Sequence, residues 1–265
     1  MFSKLRKLFS AAESGPRPAL PPSERAYAVG DVHGRLDLFG ALTTAIDADD
    51  VARGAAQTTV ILLGDLVDRG PDSAGVIAHA RAWAAHRTVR LLTGNHEEMF
   101  LEAMDKDEVL RQFLRFGGRE TVLSYPVDPE DYTRSDLPET RALMHAAIPA
   151  EDLAYLRAAE DMVVIGDYLF VHAGIRPGVD LADQAPADLH WIREPFLSHG
   201  ESHGCVVVHG HTITDQPDVR ANRIGIDTGA YRTGCLTALG LDGEARWLIE
   251  ARDENGAIRV SQRSL

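Results

Sequence analysis

The sequence contains only two cysteines, Cys205 and Cys235, and both lie in apolar runs. Two cysteines are too few for a disulfide framework or for a zinc site built on cysteine, so we expect two buried free thiols. This cysteine usage indicates a reducing compartment, and we predict a cytoplasmic protein.

Long apolar runs and an excess of basic residues are also absent. No stretch approaches the roughly 18 apolar residues of a membrane-spanning helix. The net charge of −13 argues against a protein that coats nucleic acid, because phosphate backbones require concentrated lysine and arginine. An acidic chain can still bind one phosphate where cations and a few arginines reverse the local field.

The first 22 residues differ in composition from the rest of the chain. Residues 1–12 place Phe2, Leu5 and Phe9 on one helical face beside basic residues, without the long apolar region of a secretory signal. Membrane contact by residues 1–12 is one interpretation, and a frayed tail is the other. A proline-rich segment follows, so we predict a tail and linker over residues 1–22 and a single domain over 23–265.

From residue 25 onward, short apolar runs typical of strands alternate with helical stretches. The alternation predicts an α/β first half, and the last four runs, almost without helices, predict a mainly antiparallel, α+β-like second half. Segment 116–126 is expected to form a loop and helix near the site, and 126–138 an exposed lid or loop. The predicted strands lie in 25–31, 58–65, 89–95, 162–174, 205–211, 222–229, 234–241 and 245–250. The predicted helices lie in 35–49, 73–86, 97–113, 138–146, 150–159 and 186–198.

Five of these apolar runs end in a glycine motif that carries a metal-binding side chain: GDVHG, GDLVDRG, GNHE, HAG and HGH. Each motif alone has an ordinary explanation, such as a surface acid, a helix cap or a packed histidine. Sites in open α/β sheets collect beyond the carboxyl ends of the strands, so five such ends can converge. Their conjunction in one chain favours a shared functional site.

The side chains of these motifs form a mixed set of possible metal ligands. Asp31 and His33 are two residues apart, so on extended backbone they would point the same way. Carboxylate, imidazole and amide donors suit Mn, Zn or Fe. Six ligands are too many for one ion with an open position and fit two ions that share a carboxylate. The candidate ligands are Asp31, His33, Asp65, Asn95, His172 and His211.

Together the stretches GDVHGR, GDLVDRG, GNHEE, HAGI and HGHT, in this order, resemble the phosphoprotein phosphatase family of binuclear metallophosphoesterases. The resemblance is to its bacterial branch, which is similar to the phage lambda type serine/threonine phosphatase, and it spans about residues 25–240. It implies a calcineurin-like metallophosphoesterase fold, a β-sandwich of mixed sheets flanked by helices. Residues 23–265 would then be one catalytic domain.

The resemblance also implies a role for each matching ligand position. Asp31 and His33 would hold the first metal together with Asp65, which would bridge to the second. Asn95, His172 and His211 would complete the second site. Two divalent ions are implied, with Mn as the first choice and Fe or Zn as alternatives.

The remaining motif residues would act on the substrate. The resemblance implies that His96 is the general acid, that Asp68 orients it, and that Arg69 grips the phosphate in a bidentate manner. Arg193 matches the family's Trp-x-Arg pattern as a second phosphate-binding arginine, and a surface arginine is its alternative.

One departure concerns the end of the last motif. Many phosphodiesterases of the superfamily carry a second histidine where this sequence has Ile213. The first metal would therefore keep fewer protein ligands, which favours a phosphomonoesterase. His209 precedes the glycine, and we interpret it as a histidine that packs in the core or supports a metal ligand from behind.

The resemblance implies hydrolysis of phosphoserine or phosphothreonine in proteins, by in-line attack of water held between the metals. A symmetrical diadenosine tetraphosphate hydrolase, or another small phosphoester hydrolase, is the alternative, because it would use the same residues. A catalytically inactive binding module is a third hypothesis, which the retained ligands and His96 disfavour. The partner is thus a phosphorylated protein or a small phosphoester.

Overall fold

The computed structural model describes residues 17–265, so the predicted membrane contact of residues 1–12 lies outside the described residues. Within the described chain, no helix is both long and apolar enough to span a bilayer. The last residues of the predicted linker pack on the domain: Leu20 is buried, its N–H donates to the Gly243 carbonyl at 3.0 Å, and the Tyr168 hydroxyl donates to the Pro18 carbonyl.

Two mixed β-sheets form the framework, in agreement with the predicted sandwich. The first has the strand order β11-β10-β9-β1-β2-β3, with β1, β2 and β3 parallel. The second has the order β4-β5-β6-β8-β7. The strands are β1 (Glu24–Val29), β2 (Gln57–Leu62), β3 (Thr88–Leu91), β4 (Met162–Ile165), β5 (Tyr168–Val171), β6 (Val206–His209), β7 (Asp218–Val219), β8 (Arg223–Gly225), β9 (Cys235–Asp242), β10 (Ala245–Glu254) and β11 (Ala257–Ser264).

Alternate residues of the strands separate the core into layers. In β1, Ala26 and Ala28 face the layer between the two sheets, where they join Phe170 and Val208 of the second sheet. The intervening residues face a larger apolar cluster formed with the helices. The helices are α1 (Leu36–Arg53), α2 (Ser73–Ala84), α3 (Asn95–Ala103), α4 (Asp107–Phe113), α5 (Arg119–Ser124), α6 (Pro129–Arg134), α7 (Leu137–Ala147), α8 (Ala150–Arg157), α9 (Pro186–Trp191) and α10 (Ala230–Thr233).

The prediction of a mainly antiparallel second half is correct for β9, β10 and β11 and wrong for the centre of the second sheet. There β5, β6 and β8 run parallel. The long connection between β5 and β6 contains α9, and such a crossover brings the chain back in the same direction. The parallel arrangement matters because it places the ends of β5 and β6 side by side.

Several predicted element boundaries were wrong for local reasons. The helix predicted over 97–113 is two helices, α3 and α4. The helix predicted over 186–198 ends at Trp191, and Pro195 would interrupt any helix that continued to residue 198. The predicted loop 126–138 contains α6, which Asp128 caps by accepting the Glu130 N–H at 2.7 Å. The run 162–174 is a hairpin of β4 and β5, and β7 and β11 were not predicted.

Candidate active site

The structure brings the predicted site residues other than Arg193 together beyond the carboxyl ends of β1, β2, β5 and β6 and at the start of α3. Asp31 and His33 follow β1, and Asp65 follows β2. The two turns are joined by the Asp65 carbonyl, which accepts the N–H groups of Val32 at 3.0 Å and His33 at 2.8 Å. The turns touch so closely that a β-carbon on Gly70 would lie 2.0 Å from the His33 carbonyl oxygen. Glycine is therefore required where the first two motifs cross.

Left-handed backbone is concentrated in this site. Seven non-glycine residues of the described chain have positive φ, and five of them are predicted site residues. Such residues cost roughly 1–3 kcal/mol each and persist where the surroundings determine them, so their clustering marks a functional site. The five are His33, Asp65, Asp68, Arg69 and His211.

Asp65 lies between two groups of imidazoles. Its Oδ2 is 3.5 Å from His33 Nε2 and 4.0 Å from His96 Nε2, while its Oδ1 is 3.5 Å from His172 Nε2. Ligand atoms of His33, Asp65 and His96 form one group within 4.8 Å of one another, and those of Asp65, His172 and His211 form a second. A carboxylate shared by two groups is the geometry that the bridging role requires.

The tautomers of two histidines direct their lone pairs toward Asp65. His33 Nδ1 donates to the Val67 carbonyl at 2.7 Å, and His172 Nδ1 donates to the Leu63 carbonyl at 2.8 Å. Burial lowers the pKa of both rings, so they are neutral and carry a lone pair on Nε2. Neutral Nε2 atoms facing a carboxylate are stabilised by a cation placed between them.

Asn95 and His211 complete the second group. Asn95 Oδ1 lies 3.0 Å from His172 Nε2 and 2.8 Å from His211 Nδ1. Burial lowers the pKa of His211 to about 3, so this ring is also neutral. Its buried Nε2 has no hydrogen-bond partner among residues 17–265. This set of donors fits a divalent metal ion.

Asp31 reaches the site by a different route from the one predicted. His33 has φ 45°, so the backbone is not extended there, and a turn brings the two side chains to the site. The Asp31 carboxylate accepts the His211 N–H at 3.0 Å and lies outside the two groups around Asp65. Burial and the charges of Asp227 and Asp65 raise its pKa well above the usual range. A buried cluster of carboxylates favours bound cations.

His96 and Asp68 form the predicted pair. His96 Nδ1 and Asp68 Oδ2 are 2.6 Å apart. Thr121 of α5 donates to Asp68 Oδ1 at 2.6 Å, and its hydroxyl oxygen accepts the Asp68 N–H at 2.8 Å. Burial opposes the charged form of His96, but Asp65 and Asp68 outweigh it and raise its pKa.

Arg69 contacts the ring nitrogens of two of the histidines. It donates from Nη1 to His33 Nε2 at 2.8 Å and from Nη2 to His96 Nε2 at 2.7 Å. The Tyr231 ring lies beneath the guanidinium, with 4.8 Å between its centroid and the Arg69 Cζ. The Gly117 carbonyl accepts the Arg69 N–H at 3.0 Å, which places segment 116–126 beside the site as expected.

Arg193 lies in the exposed loop after α9. No carboxylate of residues 17–265 forms an ion pair with it, so its guanidinium remains available for an anion. His209, by contrast, is buried with its ring edge-on to Phe196 at 5.1 Å, which fits the packing interpretation. Both cysteines are free, Cys235 being buried and Cys205 half-buried.

Sequence reasoning missed three buried polar residues that support the site. Glu97 accepts the N–H groups of Asp65 and Leu66 at 2.7 Å each, and burial raises its pKa to about 7. Thr121 holds Asp68, and Asp227 lies beside Asp31. For Asp227 a signal was present, because it ends an apolar run just as Asp65 does.

Comparison with known proteins gives a family match and relatives over most of the chain. The calcineurin-like phosphoesterase family model matches residues 25–234. The bis(5'-nucleosyl)-tetraphosphatase PrpE of Bacillus velezensis, described as asymmetrical, is 25% identical over 237 residues, covering 79% of this chain and 86% of that protein. A symmetrical bis(5'-nucleosyl)-tetraphosphatase of Delftia acidovorans is 31% identical over 151 residues, covering 57% of this chain and 44% of that protein.

Solved structures share the fold. A crystal structure provisionally named a diadenosine tetraphosphatase aligns with a TM-score of 0.60 at 19% identity, covering 93% of this chain and 98% of the other. A cold-active protein-tyrosine phosphatase of a psychrophilic Shewanella species aligns with a TM-score of 0.53 at 18% identity, covering 91% of this chain and 83% of the other. At these identities the likeness concerns the fold alone.

Proposed function

The chain belongs to the calcineurin-like phosphoesterase family, and we propose that it is a metal-dependent hydrolase of dinucleoside tetraphosphates. The relatives that align over about four fifths of the chain carry this activity in their names. This supports the small-substrate alternative over the phosphoprotein phosphatase that the motifs first indicated. Because these relatives are described as asymmetrical, we propose cleavage to a nucleoside triphosphate and a nucleoside monophosphate, rather than the symmetrical cleavage of the alternative hypothesis above.

The observation that supports metal-dependent hydrolysis is the position of Asp65. One of its carboxylate oxygens faces the neutral imidazole of His33 and the other faces that of His172. We propose that two divalent ions bind here, Mn first, with Fe or Zn as alternatives. Bound ions of this kind neutralise phosphoryl oxygens and bring the pKa of water close to neutrality. The proposed ligands are Asp31, His33, Asp65, Asn95, His172 and His211.

We propose that Arg69 binds the phosphate. Its two terminal nitrogens donate to His33 and His96, and each of these rings offers one uncharged acceptor nitrogen. A phosphate offers charged oxygens in the spacing of the guanidinium fork, so it binds the same donors more strongly. Arg193, exposed and without an ion pair in the described chain, would contact the phosphate chain from the side of His211.

This exchange also prepares His96. In the structure its Nε2 accepts from Arg69, and its Nδ1 is held by Asp68. When phosphate takes over the Arg69 donors, Nε2 becomes free to hold a proton, which the raised pKa of His96 favours. His96 then donates that proton from Nε2 to the oxygen that leaves phosphorus. Its Nδ1–H remains hydrogen-bonded to Asp68 throughout.

A phosphoserine or phosphothreonine substrate is the second candidate, which the GDLVDRG and GNHEE stretches favour. The same residues would act in both reactions, since each requires a clamped phosphate and an acid for the leaving oxygen. The two candidates differ only in what surrounds the phosphate.

The test is a substrate comparison on one purified sample loaded separately with Mn, Fe and Zn. We expect diadenosine tetraphosphate to be hydrolysed to ATP and AMP with a kcat/KM well above that for a phosphoserine peptide. The His96→Asn variant, purified in the same way, controls for contaminating hydrolases. A higher kcat/KM for the peptide would overturn the proposal, and ADP as the sole product would overturn the asymmetrical cleavage.

A further inference from the structure

None of the catalytic steps above uses Trp191, although it lies beside the metal ligands. It is the last residue of α9 and 40% exposed, whereas Trp83 and Trp247 are only 7% and 2% exposed. The Leu189 carbonyl of α9 accepts the Ala173 N–H at 2.8 Å, next to His172. This bond ties α9 to the end of β5, so the indole sits at the rim of the site.

The indole ring is fixed by its polar edge. Its N–H donates to Glu98 Oε2 at 2.8 Å, and His190 Nδ1 lies 3.1 Å from the same oxygen. His190 is held in turn by Asp161, 3.1 Å from its Nε2. The hydrogen-bonded chain therefore fixes the orientation of the ring while part of its surface stays in solvent. An aromatic ring fixed in this way binds a flat ligand with little loss of conformational freedom.

The ring also lies close to where phosphate would bind. Its centroid is 6.5 Å from that of His211, with an angle of 76° between the planes. Arg193 follows two residues later and adds positive charge on this side. A ribose attached to a phosphate beside His211 would therefore be long enough to bring its base to the Trp191 ring.

We infer that Trp191 is the surface on which one nucleobase of the substrate stacks. This inference rests on the proposed function, because it names the part of the site that recognises the nucleoside. Stacking tolerates any base, since every base has a π face, so Trp191 would recognise a nucleotide end without selecting adenine. Glu98 acts through Trp191, as a positioning residue.

The test compares ADP with pyrophosphate, which share two phosphates and differ by the nucleoside. Both are measured as competitive inhibitors of the hydrolysis of p-nitrophenyl phosphate by the metal-loaded enzyme. Trp191→Leu should raise the inhibition constant of ADP by about 10-fold, the scale of a lost stacked base, and leave that of pyrophosphate unchanged. Trp191→Phe keeps a ring and should lie between the native enzyme and the leucine variant.

A second readout does not depend on turnover. Because Trp83 and Trp247 are buried, ADP should quench the exposed Trp191 fluorescence of the native enzyme, and pyrophosphate should not. Trp191→Phe supplies the background of the other two indoles. An unchanged ADP inhibition constant in Trp191→Leu, or equal quenching by both ligands, would overturn the inference. Failure of the proposed function would show separately, as absent hydrolysis of diadenosine tetraphosphate.

Discussion

The six proposed metal ligands are at most 8% exposed, whereas Trp191, at the rim a few ångströms away, is 40% exposed. The proposed ligands are positioned mainly by backbone: the carbonyl groups of Asp65, Val67 and Leu63 hold the turns and the imidazoles. The rim is positioned by side chains, as in the contact of Trp191 with Glu98. A site built on strand ends therefore requires short fixed motifs, while a rim built from side-chain pairs does not.

This difference explains which part of the function the sequence reveals. The centre needs left-handed backbone and close turns, which restrict the residues that fit and so produce recognisable motifs. The rim decides which molecule carries the phosphate, and it depends on contacts between residues far apart in the chain, such as Glu98 and Trp191. Reaction chemistry can thus be predicted from motifs that leave the substrate undecided.

The largest expected effect is at Asp65, the carboxylate that lies between the two groups of imidazoles. Asp65→Asn removes the negative charge that faces both His33 and His172. We expect metal affinity and kcat/KM to fall by more than about 100-fold, beyond the roughly 10–100-fold cost of losing an outer-shell partner. Metal content after gel filtration and steady-state kinetics measure the two losses.

Asp72→Asn is the matched control for this change. Asp72 lies in the same turn but caps α2, accepting the Gly75 N–H at 2.7 Å, and asparagine caps equally well. We expect Asp72→Asn to keep the metal content and the activity of the native enzyme. Two ions bound by Asp65→Asn with native affinity would contradict the bridging role.

The next effect tests whether His96 belongs to the centre or acts on the substrate. Its Nε2 lies 4.0 Å from Asp65 Oδ2, so geometry alone allows either role. If His96 is the acid, His96→Asn should lower kcat by about 10²- to 10⁴-fold and leave the metal content intact. An acid must be protonated, so the fall in native kcat above the pKa of His96 should disappear in the variant. Loss of metal would instead make His96 a ligand.

The supporting residues show where prediction from the sequence ends. Strand-end motifs led to the proposed ligands, and the family resemblance carried by the same motifs led to His96 and Arg69, because all these residues lie within a few positions of an apolar run. Glu97 looked like a favourable acid in the first turn of a helix, and only the fold shows it binding the N–H groups of Asp65 and Leu66. Thr121 is distant in sequence, so its contact with Asp68 depends on tertiary packing that no local pattern encodes.

A smaller effect is expected at the rim, where Tyr231 packs against Arg69. Tyr231→Leu removes the aromatic face under the guanidinium and should raise KM for the phosphate substrate by about 2- to 10-fold, as expected for loss of a cation–π contact. Because the ring packs against Arg69 and His33 rather than against the proposed acid His96, kcat should change less. Tyr231→Phe keeps the face and should behave like the native enzyme. An unchanged KM in Tyr231→Leu would show that Arg69 does not depend on this ring.

The smallest expected effect concerns the hydrogen-bonded chain behind Trp191. Burial opposes the charged form of His190, but Glu98 and Asp161 outweigh it and raise its pKa, so the folded state favours the imidazolium. A raised folded-state pKa gives stability that is complete below the unfolded value of about 6.5 and is lost as the pH rises through the folded value. His190→Gln should therefore lower the free energy of unfolding more at pH 6 than at pH 9.

Denaturant unfolding of the apo protein at the two pH values measures this difference. Asp161→Asn keeps Glu98, so the pH dependence of its stability should lie between those of the native protein and of His190→Gln. An equal loss at both values would mean that His190 supports the rim as a neutral hydrogen-bonding group, and the anchoring of Trp191 would then be independent of pH.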